Sequence, residues 1–368
     1  MSKAAELANL IGNINAGGGG VNRNVIINGA MNVCQRSTSV GSRGDDTGYY
    51  TVDRWMLATN ATTAGRLTMS QDSSAPSGFA NSLKLDCDTA DTSIAAGELL
   101  TLTQRIEGQN LQAFAKGTSD AKPFTLSFYA KANASKTYVA ELFDIDNSRH
   151  VGKTFTVGTS WARHEITFPA DTTGAFDDDN ARSLDVSIWL NGGSTFTGGT
   201  LGTTWQAEDA DDRAAGIGSF FDSTDNTFFI TGVQLEVGQN PTSFEHEPYA
   251  TTFEKCLRYF YAVVPIGEGD AYIAPAWMYS SSTLVSIIPH MTEMRSNPTV
   301  STIDASNDFR FYRNNAADDF DEMALSSPST RRSTAVFNAT DVSGTAGHAG
   351  GIFGNDATNA YIYLTAEL

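Results

Sequence analysis

Residues 124–132 run FTLSFYAKA and residues 184–191 run LDVSIWLN. In the first, Phe124, Leu126, Phe128 and Ala130 fall on one side, with Thr125, Ser127, Tyr129 and Lys131 on the other. In the second, Leu184, Val186, Ile188 and Leu190 oppose Asp185, Ser187, Trp189 and Asn191. Successive side chains of an extended chain point to opposite faces, so each segment is a strand with one buried face. The stretch 228–237 (FFITGVQLEV) places Phe229, Val233, Leu235 and Val237 together, and 161–169 sets Ile166 and Phe168 inward. Loops rich in Gly, Thr, Asp and Asn, such as 171–180 and 192–202, separate these segments. This pattern predicts an all-β sandwich of antiparallel sheets.

Working outward, the polar stretch 238–250 (GQNPTSFEHEPYA) is bracketed by Pro241 and Pro248 and marks a boundary. A helical turn or two over 251–260 leads into a second all-β region. Its expected strands are 272–277, 283–288, 299–303, 309–312 and 334–338, and 361–368 (YIYLTAEL) should be paired rather than a tail. At the other end, 4–15 (AAELANLIGNIN) predicts a short helix with Leu7, Leu10, Ile11 and Ile14 on one stripe, ended by Gly17–Gly20. So short a helix is marginal alone and needs copies of itself or a socket. The expected organisation is a docking or oligomerisation leader over 1–23, a sandwich domain over 24–249 and a smaller β domain over 250–368. No internal repeat is visible, which counts against a β-helical depolymerase.

Charged residues make up only 18% of the 368 residues, and the formal net charge is −18. A binder of phosphate backbones needs a basic surface that releases counterions, so nucleic acid is disfavoured, and an anionic membrane surface with it. No run approaches the ~20 apolar residues of a membrane span. Cys34, Cys87 and Cys256 are odd in number and far apart, which is neither a disulfide framework nor a zinc pattern; buried free thiols are expected. Met1–Leu10 lacks the apolar core of a secretion signal, while the composition suits an extracellular adhesin. A bacteriophage product, made in a host cytoplasm and released by lysis, reconciles the two.

Six blocks occur in an order that resembles a bacteriophage tail-fibre or tail-protein family with a carbohydrate-binding-module-like jelly roll. They are 24–36 (NVIINGAMNVCQR), 50–55 (YTVDRW), 104–107 (QRIE), 124–131 (FTLSFYAK), 229–238 (FITGVQLEVG) and 243–249 (SFEHEPY). Residues 254–261 (EKCLRYFY) and 359–368 (NAYIYLTAEL) resemble the small β domain that follows in that family. Only the leader lies outside the likeness. The resemblance implies a virion component, often a homotrimer, docked to other virion proteins and touching host glycan; it implies no reaction. Within the blocks, Asn28-Gly29 is a turn dipeptide, Asp53 and Arg54 pin a strand edge, and Gly232 marks a bulge or close backbone approach.

Sugar binding needs aromatic faces for pyranose C–H surfaces and planar polar groups for hydroxyls. Tyr129 and Trp189 sit on the polar faces of their strands. If those strands are neighbours, they form one aromatic-bearing face joined by Arg105, Gln234 and Glu236; otherwise that face packs against a loop or a sister subunit. Trp55, Trp161 and Trp205 are expected as core or loop anchors. Asp177, Asp178 and Asp179, and the 144–147 run DIDN, are the acidic clusters that could hold a structural Ca2+, which takes about six to eight oxygens, though neither has an EF-hand's spacing. A solvated acidic loop is the competing reading. The five histidines are scattered outside any metalloprotease or nucleophile-elbow context, so no catalytic residue is assigned. Gly17–Gly20 lacks a phosphate loop's Lys-Ser/Thr ending, and 344–354 (GTAGHAGGIFG) is expected to be a flexible loop. The function expected is structural attachment to a virion combined with multivalent glycan adhesion. A purely structural capsid or collar decoration protein and a glycan depolymerase are the alternatives.

Overall fold

The computed structural model describes residues 2–8, 23–60, 64–268, 271–302, 307–326, 329–355 and 360–368. The chain divides into two compact units, one of Met1–Cys34, Thr38–Tyr249 and Leu368, the other of Gln35–Ser37 and Ala250–Glu367. In the leader, residues 3–8 are helical; 9–22, with Leu10, Ile11, Ile14 and the four glycines, lie outside the described residues.

The first unit is a sandwich of two antiparallel sheets. One runs, in spatial order, β1 (Ser39–Arg43), β4 (Arg66–Asp72), β5 (Ser82–Thr89), β13 (Thr227–Val237), β7 (Phe124–Ala132) and β10 (Ala162–Phe168). The other runs β12 (Gln206–Ala207), β9 (Arg149–Val157), β8 (Lys136–Asp144), β11 (Arg182–Gly192), β6 (Leu99–Glu107), β3 (Met56–Asn60) and β2 (Gly48–Tyr49). Repeatedly the chain crosses from one sheet to the other, the jelly-roll habit the sequence led one to expect. The alternating residues of β7, β10 and β11 meet in one core, where Phe114 stacks on Phe124 at 3.9 Å. Each such buried aromatic contributes ~1.5–3 kcal/mol of transfer free energy.

One phase differs from expectation. Phe228 and Ile230, not Phe229, join Val233, Leu235 and Val237 in the core. The cause is a register shift between Thr231 and Gln234, where Gly232 adopts φ +62. The anticipated bulge exists, and an extra residue reverses the side-chain phase upstream of it. Asn28-Gly29 abuts the bulge: Val233 N–H donates to the Gly29 carbonyl at 3.0 Å, and a Cβ at Gly29 would lie 2.1 Å from the Val233 oxygen. Asn28, itself at φ 59, organises the turn through four side-chain hydrogen bonds to the main chain of Asn32, Val33 and Asp53. Asp53 and Arg54 are buried, and Arg54 donates to the Arg105 carbonyl at 2.7 Å.

His164 of β10 follows the inward phase and stacks on Phe128 at 5.3 Å. Burial holds its imidazole below the ordinary 6.5. The folded state therefore binds fewer protons than the unfolded chain as pH falls below 6.5, and stability drops there. His164→Phe should flatten the fall in Tm between pH 7 and 5, measured by calorimetry.

In the second unit a three-stranded sheet, β14 (Phe260–Val264), β23 (Ile362–Thr365) and β17 (Thr299–Thr302), shares a core with a seven-stranded one. The latter is ordered β19 (Ala316–Phe320), β18 (Phe309–Arg313), β22 (Ala349–Gly354), β15 (Tyr272–Met278), β16 (Leu284–Pro289), β21 (Ser333–Asn338) and β20 (Ala324–Ser326). The expected helix is Tyr249–Leu257, and the end of the chain is indeed paired, on both sides of β23. The glycine-rich 344–354 is not simply a loop: its second half is β22, a central strand. Gly350 is required there because a Cβ would sit 1.9 Å from the Tyr312 carbonyl oxygen. Cys87 and Cys256 are buried and Cys34 half-buried.

Candidate functional site

Tyr129 and Trp189 belong to different sheets, so the single face expected to carry both does not exist. The four candidate residues split in pairs. Tyr129 and Gln234 lie on the outer side of the first sheet, linked through the Ser127–Gln234 and Tyr129–Thr231 pairings. Trp189 and Arg105 lie on the outer side of the second, where Asp185 opposes Arg105 and Trp189 opposes Thr101.

The second sheet's outer side is largely roofed by residues 193–218. Trp189 is 1% exposed, packed with Val139 and Ala214 beneath Phe196, Leu201 and Ile217. Its indole N–H donates to Glu141 Oε2 at 2.7 Å, and the Arg213 guanidinium clasps the same carboxylate at 2.8 and 2.9 Å. Trp189 offers no open ring to a sugar; the loop-packing alternative describes it. Burial alone would raise the Glu141 carboxyl. The Arg213 charge and hydrogen bonds from His150, Arg213 and Trp189 outweigh that, and hold it below its ordinary 4.5. Arg105 donates to the Leu368 carbonyl at 2.5 Å within the same unit.

On the first sheet, Gln234 is fully buried: its amide donates to Glu236 and Thr242 and its carbonyl accepts from the Glu245 N–H. It is a clamp for the segment that crosses this side, not a ligand group. Tyr129 is half-buried against Phe79, which also meets Phe244 and His246. In one row Trp161, Lys131 and Lys84 are half-buried around Phe229, which is itself buried. Lys131 and Lys84 flank Phe229 in register on β7 and β5. Lys131 Nζ lies 4.4 Å from the Phe229 centroid and 5.2 Å from that of Trp161, and donates to Ser74 Oγ at 2.8 Å. Trp161, half-buried, meets Phe229 edge-on at 6.1 Å, and Lys84 pairs with Asp86 at 2.7 Å. Trp161 is not the core or loop anchor expected: the alternation of 161–169, with Ile166 and Phe168 inward, turns it to the outer face. Trp55 and Trp205 are anchors, donating to the Asn28 and Pro169 carbonyls.

Asp177, Asp178 and Asp179 are exposed on their loop, and Asp179 accepts from the Ala181 N–H at 2.8 Å. Among the described residues no three metal-ligating side chains converge. In the 144–147 run, Asp144 is engaged by a buried lysine: Lys116 Nζ donates to Asp144, to the Thr173 carbonyl at 3.0 Å and to the Gly174 carbonyl at 2.7 Å, and lies 3.1 Å from Asp171. An ammonium stands where the oxygens would otherwise face a hard cation. A cleft of about 620 Å³ opens at residues 133–137, 216–218 and 222–226. Its Asp222 carboxylate is bound by Lys136 at 2.5 and 2.6 Å and by Asn226 at 2.6 Å.

No family model matches the sequence, and no curated protein matches it. Solved structures do. The enzymatically active domain of bacteriophage CBA120 tailspike protein 4 aligns over 58% of this chain at 14% identity and TM-score 0.30. The chain spans only 21% of that structure. The family 11 carbohydrate-binding module from Clostridium thermocellum, solved with a β-1,3-1,4-mixed-linked tetrasaccharide, aligns over 56% of this chain and 99% of its own, at 13% identity and TM-score 0.27. The CBM22-1 xylan-binding domain of Paenibacillus barcinonensis Xyn10C aligns over 55% and 94%, at 10% identity and TM-score 0.27.

Proposed function

We propose that the chain is a non-enzymatic structural and adhesive protein of a bacteriophage particle, whose sandwich holds host glycan weakly at each copy. The observation that carries this is the Trp161–Phe229 row with Lys131, Lys84 and Asp86 beside it. An indole can take the C–H face of a pyranose, while ammonium and carboxylate groups at its rim serve the hydroxyls. Of the two carboxylates that line the large cleft, Asp222 and Asp225, the first is tied by Lys136 and Asn226, the arrangement of a structural pair rather than of a proton donor. Assembly as a homotrimer docked through the leader would multiply weak sites into strong adhesion.

Trp161→Ala should weaken retention of the purified chain on host envelope glycan by about tenfold per site, the value of one stacking contact. Its Tm should be little changed, since the ring lies on an outer face. Unchanged retention would refute the proposed row, and intact retention with lost particle assembly would favour the purely structural reading. Release of reducing sugar from the same glycan would overturn the non-enzymatic assignment.

A further inference from the structure

The second unit contains a cleft of about 390 Å³ walled by β14, the 265–268 turn, β15 and the end of β16. That size falls in the range of small-ligand sites. Among the described residues its lining is tyrosine, proline and aliphatic side chains with one charged group, Glu268. Asn, Gln, Ser, Thr, Arg, Lys and His are absent from its described lining. The turn that presents Glu268 closes by its N–H donating to the Pro265 carbonyl at 3.1 Å, and it depends on Gly267 at φ +91. Tyr272 is 71% exposed yet held, its ring edge-on to Phe353 at 5.2 Å. Tyr261 lines the cleft from β14, and burial pushes its phenol up, so it stays neutral.

We propose that this cleft binds a quaternary alkylammonium group of the choline type. Charge complementarity selects the occupant. An anion meets a carboxylate and no cationic donor. A sugar needs several convergent planar polar groups, and the lining supplies one carboxylate and two phenols. A wholly apolar ligand would make no use of the Glu268 charge at the cleft's exposed rim. An ammonium sheathed in methyl groups matches every wall: methyls against Val263, Pro265 and Pro275, positive charge against the tyrosine rings and Glu268. This site lies outside the sandwich and does not depend on the glycan reading.

The test is titration of the full chain with choline chloride, followed by calorimetry and saturation-transfer NMR, beside its uncharged isostere 3,3-dimethylbutan-1-ol. The expected result is saturable choline binding and at least about tenfold weaker binding of the isostere, the difference a cation–π and carboxylate contact makes. Glu268→Gln and Tyr272→Ala, both at exposed positions, should each weaken choline about tenfold with Tm retained. Absence of choline binding to the unaltered chain overturns the proposal. So does equal binding of the isostere, or affinity unaffected in both variants.

Discussion

Lys116→Met should cost the sandwich about 3–5 kcal/mol, the penalty for removing one partner of a buried ion pair. For a domain of this size that is a fall in Tm of roughly 10 °C. The lysine side chain is fully buried, as is Asp144, and Asp171 is nearly so. Without the ammonium, Asp144 keeps only Asn147 as a side-chain partner, and two main-chain carbonyls lose their donor. Methionine restores the stem but none of the hydrogen bonds, nor the ammonium that lies 5.2 Å from the Phe176 ring centroid and 5.1 Å from that of Trp205. The damage should be local first: amide exchange over 171–180 rises before the rest of the sandwich opens. Adding Asp144→Asn should recover part of the loss, because the stranded charge goes with it. A loss below about 1 kcal/mol in the single variant would mean water already screens the site.

Nothing in the sequence marks that lysine. Of the two lysines in AFAKGTSDAK, Lys116 reads no differently from a surface one, since its cage comes from residues far along the chain. By contrast, the strands of the core announced themselves through local alternation, and so did the paired last strand. What alternation does not encode is sheet membership. Tyr129 and Trp189 carry the same signature, an aromatic on the polar side of a strand, yet β7 and β11 pair with different neighbours. Unbroken alternation puts Phe229 on the inner side, but the extra residue at the Gly232 bulge reverses the phase upstream and turns it outward. The roof over Trp189 had a faint signal, Phe196, Leu201 and Ile217 spaced through a Gly/Thr-rich loop, too irregular to show as an amphipathic element. Gly350 was legible only as flexibility; its real constraint is the carbonyl of a neighbouring strand.

That roof yields the second large expectation. Glu141→Ala should cost about 3–5 kcal/mol and free residues 193–218 from the sheet. The Arg213 guanidinium would lose both its hydrogen bonds to Glu141, and the Trp189 N–H would be left buried without an acceptor. Amide exchange should accelerate across 193–218, and Trp189 emission should shift to the red as water reaches it. Glu141→Gln keeps one acceptor for the indole but not the charge, so its cost should be smaller. The pH dependence follows from the lowered Glu141 carboxyl, and the stability it contributes is fully present above the ordinary 4.5. It is lost as pH falls through the folded-state value, because protonation there removes the charge that Arg213 needs. Acid should therefore unfasten the roof in the unaltered chain, whereas Glu141→Gln should show the same exchange over 193–218 on both sides of that range. An equal acid response in the two would assign the fastening to the apolar contacts of Phe196, Leu201 and Ile217 instead.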